Sequence, residues 1–169
     1  MATVMAQIKK TEPLIPSILD RLLDDNPAVQ QELEASRVQI LRDLHASIRR
    51  DLQNLLNTRS RCIVPGTELN QLGQSLINYG IPDFSCDNLG SDNSRKEFRR
   101  AMEEAIRTFE PRLKTVHVQL LENADPLDQT LRFRIDALMH ADPAPEPVAF
   151  DSLLEPVTYN FEVKGVQHD

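Results

Sequence analysis

The segment EPRLKTVHVQL, residues 110–120, contains the point at which the sequence changes from a helical pattern to an extended one. On its N-terminal side, apolar residues recur every three or four positions, as on one side of an α-helix. These residues are Phe98, Met102, Ala105 and Phe109. Pro111 supplies no amide hydrogen and clashes with the preceding helical turn, so we expect the helix to end at about Glu110.

Beyond Pro111 the apolar period becomes two, which is typical of strands with one buried face. Three segments show this alternation: Val116, Val118 and Leu120; Leu131, Phe133, Ile135 and Ala137; Val157, Tyr159, Phe161 and Val163. The Pro-rich stretch between the second and third segments, residues 141–156, is expected to be a mobile loop. The pattern therefore predicts a small, mainly antiparallel, three-stranded sheet.

Two long helices precede these strands. The first is predicted from Arg37 to about Thr58 because one stripe is apolar. Its members are Val38, Leu41, Leu44, Ile48, Leu52 and Leu55. The second is expected to begin at Ser94, which has Glu97 three residues later in the spacing of a capping box. The first helix also has a basic side, which either is solvated or meets an acidic protein surface.

A short amphipathic helix is predicted near the N-terminus, with Ser17 as its cap and Asn26-Pro27 as its end. Its apolar side consists of Ile18, Leu19, Leu22 and Leu23. So short a helix is marginal alone, and its leucines need either the parent core or a partner protein. A further short helix is expected at Leu69, Leu72 and Leu76.

These elements predict an α+β fold, with two long helices and short N-terminal helices packed on the three-stranded sheet. We expect a flexible N-terminus over residues 1–13, a single domain over 14–163 and a tail over 164–169. The 169 residues, 40% hydrophobic and 27% charged, have the composition of a globular protein.

Composition also excludes several classes of partner. The net charge of -7 argues against nucleic-acid binding, which depends on clustered Lys and Arg. No apolar run approaches the roughly 20 residues that cross a bilayer, and Met1–Lys10 lacks the pattern of a secretory leader. We therefore expect a cytoplasmic protein without membrane insertion, in which Cys62 and Cys86 are free thiols.

No catalytic or cofactor motif is present in the sequence. The four histidines, His45, His117, His140 and His168, form no cluster with metal-ligand spacing, and neither a phosphate-binding Gly-rich loop nor a Gly-x-Ser-x-Gly elbow occurs. We expect no metal, no cofactor and no enzymatic activity.

Glu110-Pro111-Arg112 places a carboxylate, a rigid break and a guanidinium where the chain direction must change. In one interpretation it is a structural corner in which the charged side chains bond nearby backbone. In the other it is a recognition point, because the planar donor fork of Arg suits a partner's carboxylate. Local chemistry leaves both open.

Four motifs carry a resemblance to a known family. They are LIPSILDRL (14–22), LQNLLNTR (52–59), SLINYGIPD (75–83) and EPRL (110–113). In order and spacing they resemble the phage baseplate wedge and TssE family, also labelled lysozyme-like, over roughly residues 14–163.

That resemblance implies a structural subunit of a type VI secretion baseplate, located in the cytoplasm at the membrane-docked baseplate. Its implied partners are the baseplate proteins TssF, TssG and TssK and the contractile sheath proteins TssB and TssC, whose assembly it helps to start. The family also implies that the sheet receives a strand from a sheath subunit, as an open sheet edge can. Two groups of partner-binding residues are implied: Glu110, Pro111 and Arg112, and Leu19, Leu22 and Leu23. Two alternatives to this structural role are kept: a docking module of an unrelated complex, and a lysozyme-like glycoside hydrolase, which uses two carboxylates, although the chain has no Trp for a sugar platform.

Overall fold

The structure is a computed structural model that describes residues 18–22, 36–61, 72, 75–83, 91–121, 130–141, 144–155, 158 and 160–166. Its helices are α1 (Ile18–Leu22), α2 (Arg37–Asn57) and α3 (Asp92–Phe109), with a short 3-10 helix at Leu76–Asn78. Its strands are β1 (Leu113–Leu121), β2 (Leu131–Met139), β3 (Glu146–Glu155) and β4 (Asn160–Gly165). Within the described ranges, no helix is both long and apolar enough to cross a membrane.

The four strands form one antiparallel sheet in the order β1-β2-β3-β4. The predicted α+β class is confirmed, but the three-stranded sheet is wrong, because β3 occupies residues 146–155 of the predicted loop. Apolar residues alternate there too, and Val148, Phe150 and Leu154 are buried. The prolines are compatible with a strand because Pro147 lies at its start and Pro156 follows its end, where a missing amide hydrogen disrupts pairing least.

The helix ends follow from their caps. Helix α2 begins after Ser36, whose hydroxyl accepts the Gln39 amide at 3.3 Å, and its predicted span is confirmed. The predicted start of α3 at Ser94 is wrong. Ser91 has the extended backbone of a cap, and its hydroxyl accepts the Ser94 amide at 3.1 Å, so the helix begins at Asp92. Its end at Phe109 agrees with the stop expected from Pro111.

Both long helices cover the same face of the sheet. Helix α2 packs mainly against β4 and α3 against β1. The Phe98 ring on α3 lies 5.5 Å from that of Phe133 on β2 and 6.2 Å from that of Phe161 on β4, so one helix side chain contacts two strands of the sheet. Edge and offset contacts of this kind are favourable beyond the area they bury.

The segment after α2 is held by the segment before α3. The Ser60 amide donates to the Ile81 carbonyl at 2.9 Å, and the Ile81 amide donates to the Thr58 carbonyl at 3.0 Å. Gly80 has φ +112° and lies so close to Thr58 that a Cβ would be 2.4 Å from its carbonyl oxygen. Of the short helix expected at Leu69, Leu72 and Leu76, only the 3-10 helix at Leu76–Asn78 is described, and residues 69–71 lie outside the described ranges.

Candidate functional site

The corner between α3 and β1 is closed by backbone hydrogen bonds. The Glu110 amide donates to the Ile106 carbonyl at 2.9 Å, and the Leu113 amide donates to the Glu110 carbonyl at 3.1 Å. Across the sheet, the His140 amide donates to the Arg112 carbonyl at 2.8 Å. The corner is therefore attached to the helix on one side and to the end of β2 on the other.

Glu110 and Arg112 face each other across Pro111. Arg112 Nε donates to Glu110 Oε1 at 2.6 Å, and Arg112 Nη2 donates to Glu110 Oε2 at 2.6 Å. Only 4% of Glu110 is exposed, whereas Pro111 is exposed at the tip of the turn. A two-point contact between a guanidinium and a carboxylate is among the strongest hydrogen-bonded pairs in proteins.

Helix α2 supplies two more partners for Arg112. Nη2 donates to Asp51 Oδ2 at 2.5 Å, and Nη1 donates to the Ser47 hydroxyl at 2.9 Å. Ser47 and Asp51 are one helical turn apart, so both side chains lie on the same side of α2. Arg112 consequently joins the corner to a helix more than 60 residues earlier in the chain.

Helix α1 joins the same group through Asp20. Its carboxylate accepts from the Ser47 hydroxyl at 2.7 Å and from Arg50 Nη2 at 2.7 Å, and Arg112 Nη1 lies 3.9 Å away. We call this group the corner network. It consists of Asp20, Ser47, Arg50, Asp51, Glu110 and Arg112, and it places three carboxylates against two guanidiniums.

The network raises the pKa values of its two arginines and of the neighbouring Tyr79. Burial lowers the pKa of Arg112, but the hydrogen bonds and negative charges of Glu110 and Asp51 outweigh it and raise that pKa above its usual range. The hydrogen bond that Arg50 donates to the Asp20 carboxylate raises the pKa of Arg50. Tyr79, whose ring meets that of Phe109 edge-on at 5.2 Å, has its pKa raised by burial and by the charges of Asp51 and Glu110.

The structure separates the implied partner-binding residues into two environments. Glu110 and Arg112 meet in the corner network, where the donors of Arg112 are engaged within the chain. Leu19 and Leu22 lie outside the buried core and are 53% and 75% exposed. Leu23 lies outside the described residues.

Sequence reasoning missed Asp20, Ser47 and Asp51 as members of this site. Ser47 and Asp51 are one turn apart beside the apolar stripe of α2, and Ser47 is buried. The available signal was a polar residue, Ser47, beside the apolar stripe of α2. It did not identify the site, because the Glu-Pro-Arg motif that Ser47 contacts lies in a distant segment of the chain. Two arginines on the basic side of α2 bond within the chain. Arg50 donates to Asp20, and Arg49 donates to the Val163 carbonyl at 3.3 Å.

Helix side chains also bond the outer strands of the sheet. From α3, Arg107 donates to the Val116 carbonyl at 2.8 Å, and Glu103 accepts the Val118 amide at 2.9 Å. From α2, the Asn57 side chain accepts the Phe161 amide at 2.8 Å and donates to the Phe161 carbonyl at 2.9 Å. Each edge strand thus has part of its outward backbone occupied by a neighbouring helix.

Neither the corner network nor the rest of the described chain contains a group of three or more His, Cys, Asp or Glu side chains arranged to hold a metal ion. A shallow depression on the outer face of the sheet is lined by residues that include Thr115, His117, Asp136 and Pro147. Among the described residues of that lining, Asp136 is the single carboxylate.

Comparison with known proteins places these features in a family. A chain of the solved structure entitled "The baseplate complex from the type VI secretion system" aligns with a TM-score of 0.45 and 17% identity, over 75% of this chain and 97% of that chain. Anti-adapter protein IraD of Salmonella paratyphi A (strain ATCC 9150 / SARB42) is 30% identical over 101 residues, which are 60% of this chain and 73% of IraD. The model of the family described as baseplate wedge protein gp25 matches residues 42–144, a range that includes most of α2, the corner and strands β1 and β2. The chain therefore belongs to the baseplate wedge protein gp25 family.

Proposed function

We propose that this protein is a structural subunit of a type VI secretion baseplate, where it docks with TssF, TssG and TssK and helps to start assembly of the TssB/TssC sheath. The observation that carries the proposal is the family match over residues 42–144, with the Glu-Pro-Arg corner inside it. The four sequence motifs that resemble TssE support the type VI form of this role. The proposed location is the cytoplasmic side of a membrane-docked baseplate.

Helix α1 is the first proposed docking surface. Asp20 attaches its polar side to Ser47 and Arg50, while Ile18, Leu19 and Leu22 are 79%, 53% and 75% exposed. Burying one such side chain contributes about 1.5–3 kcal/mol, so a partner that covers them gains substantially. We include Leu23 in this surface because it follows Leu22 directly, in the pattern that predicted the helix.

The Glu-Pro-Arg corner is the second proposed docking surface. Glu110 is too buried to touch another protein, and its contribution is to hold Arg112 in place. Pro111 at the tip and the 22% of the Arg112 side chain that remains exposed can face a partner. In this arrangement the motif shapes the surface rather than offering a free guanidinium fork.

Strand addition to the sheet is the proposed contact with the sheath. An edge strand presents backbone N–H and C=O groups in a row, and an extended segment of another protein can pair with them. Strands β1 and β4 are the two edges available for such pairing.

The proposal is tested by co-purifying the tagged protein with TssF, TssG, TssK, TssB and TssC produced in the same cells. The doubly substituted Leu19→Asp/Leu22→Asp protein should lose at least one baseplate partner while keeping its circular dichroism spectrum. Leu138→Asp is the matched control, because Leu138 is an exposed leucine on the outer face of the sheet, away from α1. If the wild type recovers none of the five proteins, the baseplate role is refuted.

Arg112 requires a separate variant. Arg112→Ala should lose a partner in the same assay if the corner is a docking surface, provided that circular dichroism shows it folded at the assay temperature. Charge reversal at Arg112 that is restored by a compensating change on a partner would show direct recognition, since a purely internal corner is not rescued from another chain.

A second candidate function is a docking module of an unrelated complex, favoured by the similarity to anti-adapter protein IraD. Its distinguishing outcome is a purified partner that binds α1 or the corner stoichiometrically, without any baseplate or sheath protein. Both candidates describe a protein that acts by binding.

Glycoside hydrolysis fits the described geometry poorly. It takes two carboxylates on either side of a sugar bond, one of which must donate a proton. Both oxygens of Glu110 accept from Arg112, and the depression on the outer face has a single carboxylate. Peptidoglycan cleavage by the purified protein, abolished by one Asp or Glu substitution in a folded variant, would reverse this conclusion.

A further inference from the structure

The two edge strands differ in their own side chains. Strand β1 contains no Asp, Glu, Lys or Arg from Thr115 to Leu121. Strand β4 carries Glu162 and Lys164, whose charged groups pair at 3.3 Å on the outer face. Charged residues, Lys above all, are a common means of protecting an edge strand against pairing with another chain, and β1 lacks them over seven residues.

The outward backbone groups of β1 are occupied along only part of the strand. The Val116 carbonyl accepts from Arg107 and the Val118 amide donates to Glu103, so the backbone N–H and C=O groups of these two residues point away from β2. Because the direction of the backbone N–H and C=O groups alternates from residue to residue along a strand, those of Leu120 point outward as well. The Val118 carbonyl and both backbone groups of Leu120 have no hydrogen-bond partner among the described residues.

The corresponding edge of β4 is occupied where pairing would begin. Asn57 bonds both backbone groups of Phe161, as a neighbouring strand residue would, and Arg49 bonds the Val163 carbonyl. The outward groups without a partner in the described part of the chain are the Val163 amide and those of Gly165, the last residue of the strand. Gly165 has no side chain with which to contact an added strand.

Helix α3 supplies a third feature beside β1. Arg99, Glu103 and Arg107 follow each other at intervals of four residues, about 6 Å along a helix, and two strand residues cover nearly the same length. Arg107 bonds Val116 and Glu103 bonds Val118, so by continuing the same spacing we expect Arg99 to lie level with Leu120. Its Nε atom is buried and has no hydrogen-bond partner among the described residues.

We infer that the β1 edge from Val118 to Leu121 is the edge that receives an extended segment of a sheath subunit, and that the segment carries a carboxylate that pairs with Arg99. The inference rests on the proposed function and adds the edge and the chemistry of the partner. Pairing begins at Leu120, where both backbone groups are available. Extension toward Val116 requires the Glu103 and Arg107 side chains to leave the strand, and the Arg107 side chain is already 56% exposed.

Charge favours an acidic segment over a second copy of this chain. Two copies paired through β1 would bring two α3 helices together, each with two arginines, Arg99 and Arg107, and one carboxylate, Glu103, so that each carries a net positive charge beside the strand. Like charges placed side by side across an interface are unfavourable. An acidic extended segment meets the same arginines with opposite charge.

The edge is identified by site-specific crosslinking in the complex with purified TssB/TssC. A photoreactive amino acid replaces Gln119 on β1 in one protein and Lys164 on β4 in the other, both at exposed positions on the outer face. Crosslinking to TssB or TssC from position 119 and none from position 164 is the expected result. Crosslinking from position 164 alone, or from position 119 only to another copy of this chain, would overturn the inference.

Proline substitution gives a second test. Leu120→Pro removes an outward amide hydrogen that no described group uses, so the ladder with β2 is kept. It should weaken TssB/TssC binding by roughly tenfold or more. Gly165→Pro removes the matching outward amide hydrogen on β4 and should leave binding unchanged.

The outcomes separate the two proposals. Unchanged binding by folded Leu120→Pro protein refutes the edge assignment, and if that variant does not fold, the crosslinks decide. Wild-type protein that fails to bind TssB/TssC refutes the sheath role itself, and the edge assignment with it. Sheath binding with crosslinks from β4 alone refutes only the edge.

Discussion

The Arg112 guanidinium contacts the Glu110 carboxylate at two points, with Nε and Nη2 each 2.6 Å from a different oxygen. The two charged residues of the Glu-Pro-Arg motif therefore satisfy each other, and Pro111 sets the turn that brings them together. Asp51 and Ser47 complete the surroundings of the guanidinium from α2. The primary role of the motif is to attach the α3–β1 corner to helix α2, and any contact with a partner depends on that attachment.

Replacing Arg112 with Ala should destabilise the protein by about 3–5 kcal/mol, because it leaves the buried Glu110 carboxylate unpaired. Arg112→Lys should recover only part of this, since an ammonium cannot make the two-point contact. Urea unfolding measures the effect. Arg134→Ala, which removes an exposed ion pair with Asp151, should leave the midpoint nearly unchanged, and an equal loss in both variants would contradict the prediction.

Gly80→Ala should destabilise the fold by about 2 kcal/mol or more. The added Cβ would lie 2.4 Å from the Thr58 carbonyl oxygen at a backbone angle of φ +112° that Ala rarely adopts. Gly165→Ala is the control, because a Cβ there meets nothing within 4 Å. Thermal unfolding of both variants makes the comparison, and similar melting temperatures would refute the assigned constraint.

Alkaline pH should weaken the fold through Tyr79. Burial and the charges of Asp51 and Glu110 raise its folded-state pKa above the usual 10.0, so the folded state holds the phenol proton more tightly than the unfolded state. This contribution is complete below about pH 10 and is lost as pH rises through the raised pKa. Tyr79→Phe should reduce the alkaline loss of stability.

The second tyrosine, Tyr159, provides the control for that measurement. Tyrosinate absorbance in a Tyr159→Phe background reports Tyr79 alone, and the pKa obtained from its titration should lie above that of free tyrosine. A titration at or below the free value would remove the physical basis of the prediction.

Asn57→Ala should lower the free energy of unfolding by about 1–3 kcal/mol, because it leaves both outward backbone groups of Phe161 without their partner on α2. Amide exchange at Phe161 should accelerate at the same time. Asn54→Ala, an exposed position one turn earlier in α2, should change neither quantity. Protection of the Phe161 amide that survives the Asn57 substitution would refute the role of this side chain.

The two buried serines should respond in opposite directions to replacement by Ala. Ser47 joins Asp20 to Arg112, so Ser47→Ala should destabilise the protein by about 1–3 kcal/mol. The Ser152 hydroxyl is buried with no partner among the described residues, so Ser152→Ala should be neutral or stabilising. Denaturant midpoints of the two single variants, measured side by side, test this difference in sign.

Local patterns in the sequence predicted most of the secondary structure. The stripe of α2, the stop at Pro111 and the alternation in β1 and β2 each depend on residues close together in the chain, which is why spacing alone is informative. Strand β3 was missed because the prolines and acidic residues around it suggested a loop. The pairing that makes it a strand is supplied by β2 and β4.

The candidate site was only half accessible to the same reasoning. Glu110 and Arg112 are adjacent in a recognisable motif, but Asp20 and Asp51 reach Arg112 from other segments. No spacing rule links a carboxylate on α1 to a guanidinium after α3. Such contacts follow from tertiary packing.

The contact between Asn57 and Phe161 joins residues 104 positions apart, and this has a consequence for biosynthesis. At typical translation rates of about 5–20 residues per second, α2 leaves the ribosome about 5–20 s before the strand that it covers. During that interval the leucines of α2 that will face β4 lack their final neighbour. A nascent chain paused before Phe161 should therefore be a preferred client of ribosome-associated chaperones.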